Sequence, residues 1–201
     1  MKVPWSAYNE IMKRSLDGEL DGASDADKAA GVRRVIDASS VLASLVILQP
    51  LPVIDAVIVA PIQFRMVDAI GRIRGYVVDR KTRGTIFDAF KLRLVKLNGA
   101  LALVKALPFV PVVPELFGMS MTYAATAAVG EVSDDYFRGG RTMDGPGMGA
   151  CFDLSFREQY ERTLSQKRNE WRDRWRTMWR RGSPGVEAPS LPAPAAAQDR
   201  P

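Results

Sequence analysis

Residues 41–64 read VLASLVILQPLPVIDAVIVAPIQF, and this stretch decides the fold. The run from Val41 to Leu48 is apolar on every side. Pro50 and Pro52 end it, because proline lacks a backbone donor and its ring clashes with the preceding turn. A second apolar run follows, with Asp55 in its first turn, where a carboxylate meets the positive end of a helix. The pattern is helix, proline tip, helix. Upstream, Val32, Val35 and Ile36 begin a stripe at helical spacing. The first helix therefore covers about 26–48, with Ser24 or Asp25 as its cap. The second covers about 53–77 and contains Pro61, which either kinks it or marks its true first turn.

The same arrangement recurs about 60 residues later. A helix over 84–107 carries Ile86, Phe90, Leu94, Leu97, Leu101 and Val104 at helical spacing. Pro111 and Pro114 break it, Glu115 follows, and a further helix runs over 115–137. The chain thus reads as all-α, with two proline-tipped helical hairpins over 26–140. An N-terminal amphipathic segment, 1–25, precedes them, its stripe made by Trp5, Tyr8, Ile11, Met12 and Leu16. A Gly-rich linker over 141–153, a basic amphipathic helix over 154–181 and a tail over 182–201 follow. The Gly, Ser, Pro and Ala content of that tail reads as disorder.

Composition excludes much chemistry. The 201 residues carry 28 Lys+Arg against 23 Asp+Glu, a net charge of +5, with one cysteine and no histidine. No Ser-His-Asp triad or His-ligated metal is available. Cys151 alone makes neither an internal disulfide nor a thiolate cluster. No P-loop occurs, and Gly145-Pro-Gly-Met-Gly149 lacks dinucleotide-fingerprint spacing. The expectation is a non-enzymatic protein with no cofactor, no metal and no catalytic residues.

Charge placement points to a membrane. Residues 46–64 and 106–130 contain no Lys or Arg. Between them, residues 65–96 carry nine basic and three acidic residues, and residues 157–181 carry nine and four. If the tips enter a bilayer, all basic segments lie on one side, as positive-inside topology requires. Residues 1–14 show neither an apolar signal core nor a small-residue cleavage site. The expected location is the inner (cytoplasmic) membrane, cytoplasm-facing, with hairpins embedded or re-entrant. The competing reading is a soluble helical domain whose hairpins bury their apolar faces on each other. A mean hydropathy of −0.09 suits that alternative. So does the cost of Asp55 in hydrocarbon, about 2.5–3.5 kcal/mol at a membrane centre.

Gly118, Thr122, Thr126 and Gly130 share one face at steps of four, a small-residue stripe that lets helix backbones approach closely. Gln63 falls two turns beyond Asp55 and is placed to bond across to another helix. The spacing Pro50-x-Pro52-x-x-Asp55, then Gln63, Met66 and Gly75, resembles the YcjF-like family, a bacterial membrane-associated domain found alone or attached to GTPase domains. The second hairpin is similar too, ending in Tyr136-Phe137 and Gly139. The resemblance covers about 26–140. It departs at Arg74, where the family has an aromatic residue, and residues 150–201 lie outside it. It implies a membrane-embedded helical module and a GTPase as partner, and no catalytic residue.

Trp171, Trp175 and Trp179 lie at i, i+4 and i+8, flanked by Arg168, Arg172 and Arg176. Such a helix lies flat on an anionic membrane, docks its stripe in a partner groove, or packs on its own protein. Nucleic acid is not expected as a partner. The function expected is a membrane-associated scaffold or adaptor that anchors or remodels a membrane, or recruits a partner such as a GTPase or a second copy. The alternatives are a soluble adaptor binding a protein through the Trp/Arg helix and a small pore-like oligomer using Asp55 and Glu115.

Overall fold

The computed structural model describes residues 5–46, 54–105 and 113–182, with side chains outside 54–57, 98, 100–105, 113–117 and 167–182. Among the described residues the protein is all-helical. The six helices are α1 (Trp5–Leu16), α2 (Asp25–Val46), α3 (Ile54–Ile73), α4 (Arg80–Lys105), α5 (Val113–Arg138) and α6 (Gly145–Gly182). The chain divides into two units, 1–161 and 162–201. In the second, α6 continues from Arg162, whose carbonyl accepts a hydrogen bond from Ser165 Oγ at 2.8 Å.

Local chemistry sets the helix ends. Ser24 caps α2 reciprocally: its Oγ accepts from the Asp27 N–H at 3.2 Å and donates to the Asp27 carboxylate at 2.6 Å. Asp79 Oδ1 accepts from the Thr82 N–H at 2.7 Å, so α4 starts at Arg80 and not at 84. α3 stops at Ile73, short of the expected 77. Gly75 sits at φ 87° and the Tyr76 N–H returns to the Gly71 carbonyl at 2.8 Å, a left-handed closure that suits glycine. Pro61 lies inside α3, which runs on through it.

One boundary needs correction. The glycine run read as a linker over 141–153 is helical from Gly145 onward. Asp144 Oδ1 accepts from the Gly147 N–H at 2.8 Å and caps the helix. Pro146 then falls in the first turn, where proline costs nothing. Met148 and Phe152, one turn apart, are buried and hold this segment down. Pro50, Pro52, Pro111 and the tail over 183–201 lie outside the described residues, whereas Pro114, read as a break, falls in the first turn of α5, where a missing backbone donor costs nothing.

In the first unit, α2, α3 and α5 form the centre, α1 packs on α2 and α3, and α4 packs on α3 and α5. The core joins Val35, Leu42, Met66, Ile70, Val129 and Phe137. Phe152 of α6 stacks on Phe90 of α4, with ring centroids 5.2 Å apart. Helix directions follow from paired contacts. Gln63 meets Thr126, Met66 faces Gly130, and Arg74 pairs with Asp134, so α3 and α5 run parallel. Phe87 packs on Phe64 and Arg83 pairs with Asp68, so α4 runs antiparallel to α3. Ile36 shares the Gly130 contact with Met66, and Ser39 lies by Tyr8, which bonds Ile62. α2 therefore also runs antiparallel to α3. The C-termini of α2 and α4 and the N-termini of α3 and α5 thus gather at one end of the first unit, called here the tip end. Among the described residues no helix is long and apolar enough to cross a membrane.

Two outcomes test this packing. A Cβ on Gly130 would lie 2.6 Å from Ile36 Cγ1, so Gly130→Ala should cost about 1–3 kcal/mol through overpacking. That exceeds the ~1 kcal/mol that alanine returns in helix propensity. Gly84 on α4 has open space around it, so Gly84→Ala should gain up to about 1 kcal/mol. Urea unfolding of the two variants should move midpoints in opposite directions. A third outcome concerns acid. The Thr82 N–H holds the Asp79 carboxyl below its ordinary value of 3.8. A lowered folded pKa gives stability that is full above the unfolded value and fades as pH falls through the folded one. Asp79→Asn keeps a capping oxygen without the titration, so its midpoint should fall less than wild type below about pH 4.

Candidate functional site

The sequence motif and the small-residue stripe meet in the centre of the first unit. Gln63 is buried on α3, and its Nε2 donates to Thr126 Oγ1 on α5 at 3.2 Å. Thr126 is fully buried, Thr122 a turn earlier is nearly so, and Gly118 is buried at the start of the described stripe. Met66, one turn after Gln63, is fully buried, its sulfur 3.2 Å from where a Gly130 Cβ would sit. The absent side chain at Gly130 is what lets α5 approach both α2 and α3. Gly75 ends α3 and takes no part in this contact. Asp55 lies in the first turn of α3 by its backbone, and its side chain is outside the described residues, as are those of Arg168, Trp171, Arg172, Trp175, Arg176 and Trp179 on α6.

More polar groups join this seam than the motif contains. The Tyr8 hydroxyl of α1 donates to the Ile62 carbonyl at 3.4 Å. Burial pushes the Tyr8 phenol up, against smaller downward pulls from Arg65 and Ser39. Ser39 Oγ donates to the Val35 carbonyl at 2.7 Å and Ser133 Oγ to Val129 at 2.6 Å, so these hydroxyls close locally on their own helices. Ser40 differs: its Oγ is buried and has no hydrogen-bond partner.

Away from the tip end, charges pair. Arg74 grips Asp134 with two bonds of 2.6 and 2.9 Å, both side chains largely buried. The position where the family pattern has an aromatic residue is therefore an ion pair joining α3 to α5. Arg72 pairs with Asp21 and Arg138 with Asp135 in the same region. Sequence reasoning missed the Arg74–Asp134 pair, and the one signal for it was that departure at Arg74. It also missed Tyr8, whose amphipathic spacing marks it as buried but not as a donor to Ile62.

Chemically, the seam holds amides and hydroxyls that, Ser40 apart, bond one another or the backbone. Its titratable member, Tyr8, is a phenol that burial pushes further above its ordinary value of 10.0. Among the described residues no group of carboxylates, cysteine or histidine is placed to hold a metal ion. The arrangement fixes helix register.

Three substitutions test the seam. Ser40→Ala removes an unpaired buried hydroxyl and should leave stability unchanged or raise it by about 1 kcal/mol. Thr126→Val strands the Gln63 amide and should lower it by about 1–3 kcal/mol, and Gln63→Leu on top should recover part of that loss. Chemical denaturation of wild type, Thr126→Val, Gln63→Leu and the double variant completes the cycle. Compared with family models, curated proteins and solved structures, the chain finds no match.

Proposed function

We propose that the protein is a non-enzymatic membrane-associated adaptor whose tip end dips into one leaflet and whose body stays in water. The observation that carries this reading is the parallel course of α3 and α5. Because of it, the two segments without Lys or Arg, 46–64 and 106–130, lead to the same end of one unit. The paired arginines Arg72, Arg74 and Arg138 gather at the opposite end. Antiparallel α3 and α5 would have put one apolar segment at each end, which no single membrane surface can accept. With no described helix suited to crossing, entry is shallow, and the proline-tipped hairpins act as wedges. Asp55 and Glu115 then lie near headgroups and avoid the cost of the hydrocarbon centre.

The second unit supports a further contact. Its Trp171, Trp175 and Trp179 stripe, with Arg168, Arg172 and Arg176, suits an anionic interface or a protein groove. The resemblance to a GTPase-linked domain makes a GTPase the first protein partner to test. In this reading the protein anchors that partner at the cytoplasmic face of the inner membrane.

Flotation of the full chain with vesicles of phosphatidylethanolamine and phosphatidylglycerol tests the proposal. The chain should float and remain bound in high salt. The paired tip variant Leu51→Asp/Val110→Asp should be released by salt, and Trp171→Ala/Trp175→Ala/Trp179→Ala should keep its salt-resistant binding. A chain that stays at the bottom of the gradient with every lipid overturns the membrane reading and leaves the soluble adaptor.

A further inference from the structure

Large apolar side chains exposed to water are unremarkable singly and informative when they gather at one level. In the first unit five of the seven described ones gather. Trp5 on α1 is 43% exposed, Val41 on α2 42%, Leu92 and Val95 on α4 66% and 60%, and Leu154 on α6 71%. Their heights along the bundle follow from the contacts already given. Tyr8 meets Ile62 and Asn9 meets Arg65, so α1 runs parallel to α3 and Trp5 lies a turn nearer the tip end than Tyr8. Ser39 lies by Tyr8, and Val41 is two residues further toward the tips. Phe87 lies against Phe64, and α4 climbs from there toward the tips through Leu92 and Val95. Asp153 pairs with Arg93 at 2.8 Å, which sets Leu154 at about the height of Leu92. Phe64 lies below this level and is partly covered, edge-on to Phe87 and beneath Arg83. Val77, 88% exposed, lies at the opposite end.

Exposed lysines interleave with this collar on α4. Lys91 and Lys96 flank Leu92 and Val95, and neither makes an ion pair among the described residues. Arg93, between them on α4, pairs with Asp153 of α6, which leaves the two ammonium groups as the exposed cations of this level of α4. An apolar ring edged by unpaired ammonium groups, just below two cation-free apolar segments, is the pattern of a headgroup boundary.

Building on the membrane reading above, we propose that the collar of Trp5, Val41, Leu92 and Val95 marks the depth to which the bundle enters the bilayer. Lys91 and Lys96 bind phosphates of anionic lipids at that plane. The collar is thus a lipid-selective contact distinct from the tips, and it sets the orientation of the whole unit.

The test uses the full chain with Cys151→Ser and single cysteines at Val41, Leu92, Val95 or Val77, each carrying an environment-sensitive fluorophore. With phosphatidylglycerol-containing vesicles, the first three labels should shift to the blue and the Val77 label should not. Lys91→Gln/Lys96→Gln should bind these vesicles on the order of tenfold more weakly, and phosphatidylcholine vesicles unchanged. Protein that floats while the three collar labels still report water overturns the collar and leaves the membrane reading standing. Protein that does not float at all overturns both. Collar labels that shift without lipid as concentration rises assign the ring to a second copy of the chain, and the proposal falls.

Discussion

The close approach of α5 to α2 and α3 at Gly130 is the contact on which the other packing depends. Ile36 and Met66 occupy the space a side chain there would need. Once the backbones are this close, Gln63 reaches Thr126 and the two helices are held in one register. Register matters beyond stability. It makes α3 and α5 parallel, and so determines which end of the unit each apolar segment faces. A slip of one turn would break the Gln63–Thr126 bond and the Arg74–Asp134 pair together.

Polar groups inside this bundle serve direction more than energy. A hydrogen bond contributes about 1 kcal/mol net, whereas an unmet buried donor costs about 1–3 kcal/mol. Gln63 and Thr126 therefore penalise misaligned packings more than they reward the correct one. Arg74 and Asp134 act alike at the other end, since separating a buried pair costs about 3–5 kcal/mol. Two such latches, one midway along the α3–α5 contact and one at its far end, leave a single arrangement. Ser40, buried without a partner, is a local cost in the same core.

The arrangement separates two surfaces on one small unit. Paired arginines gather at one end, and apolar segments lead to the other. Exposed Leu92, Val95 and Trp5 form the transition between them.

Much of this was legible in the residues. Proline interruptions, helical spacing and cap chemistry gave helix number and kind, because each is a property of a few neighbouring residues. The extent of α6 was partly hidden: glycine around Pro146 reads as a linker until Asp144 is seen to cap it and Phe152 to bury it. Gln63 and the stripe through Thr126 and Gly130 were each visible as residues suited to helix contacts, but not as partners of one another. Their meeting, the parallel course of α3 and α5 and the Arg74–Asp134 pair are decided only by the tertiary structure. The physical reason is separation: residues about 60 apart communicate through packing, and local periodicity carries no information about which helix faces which. The sequence by itself determined the helices and the segregation of charge. Tertiary structure alone decided that both apolar segments share one end.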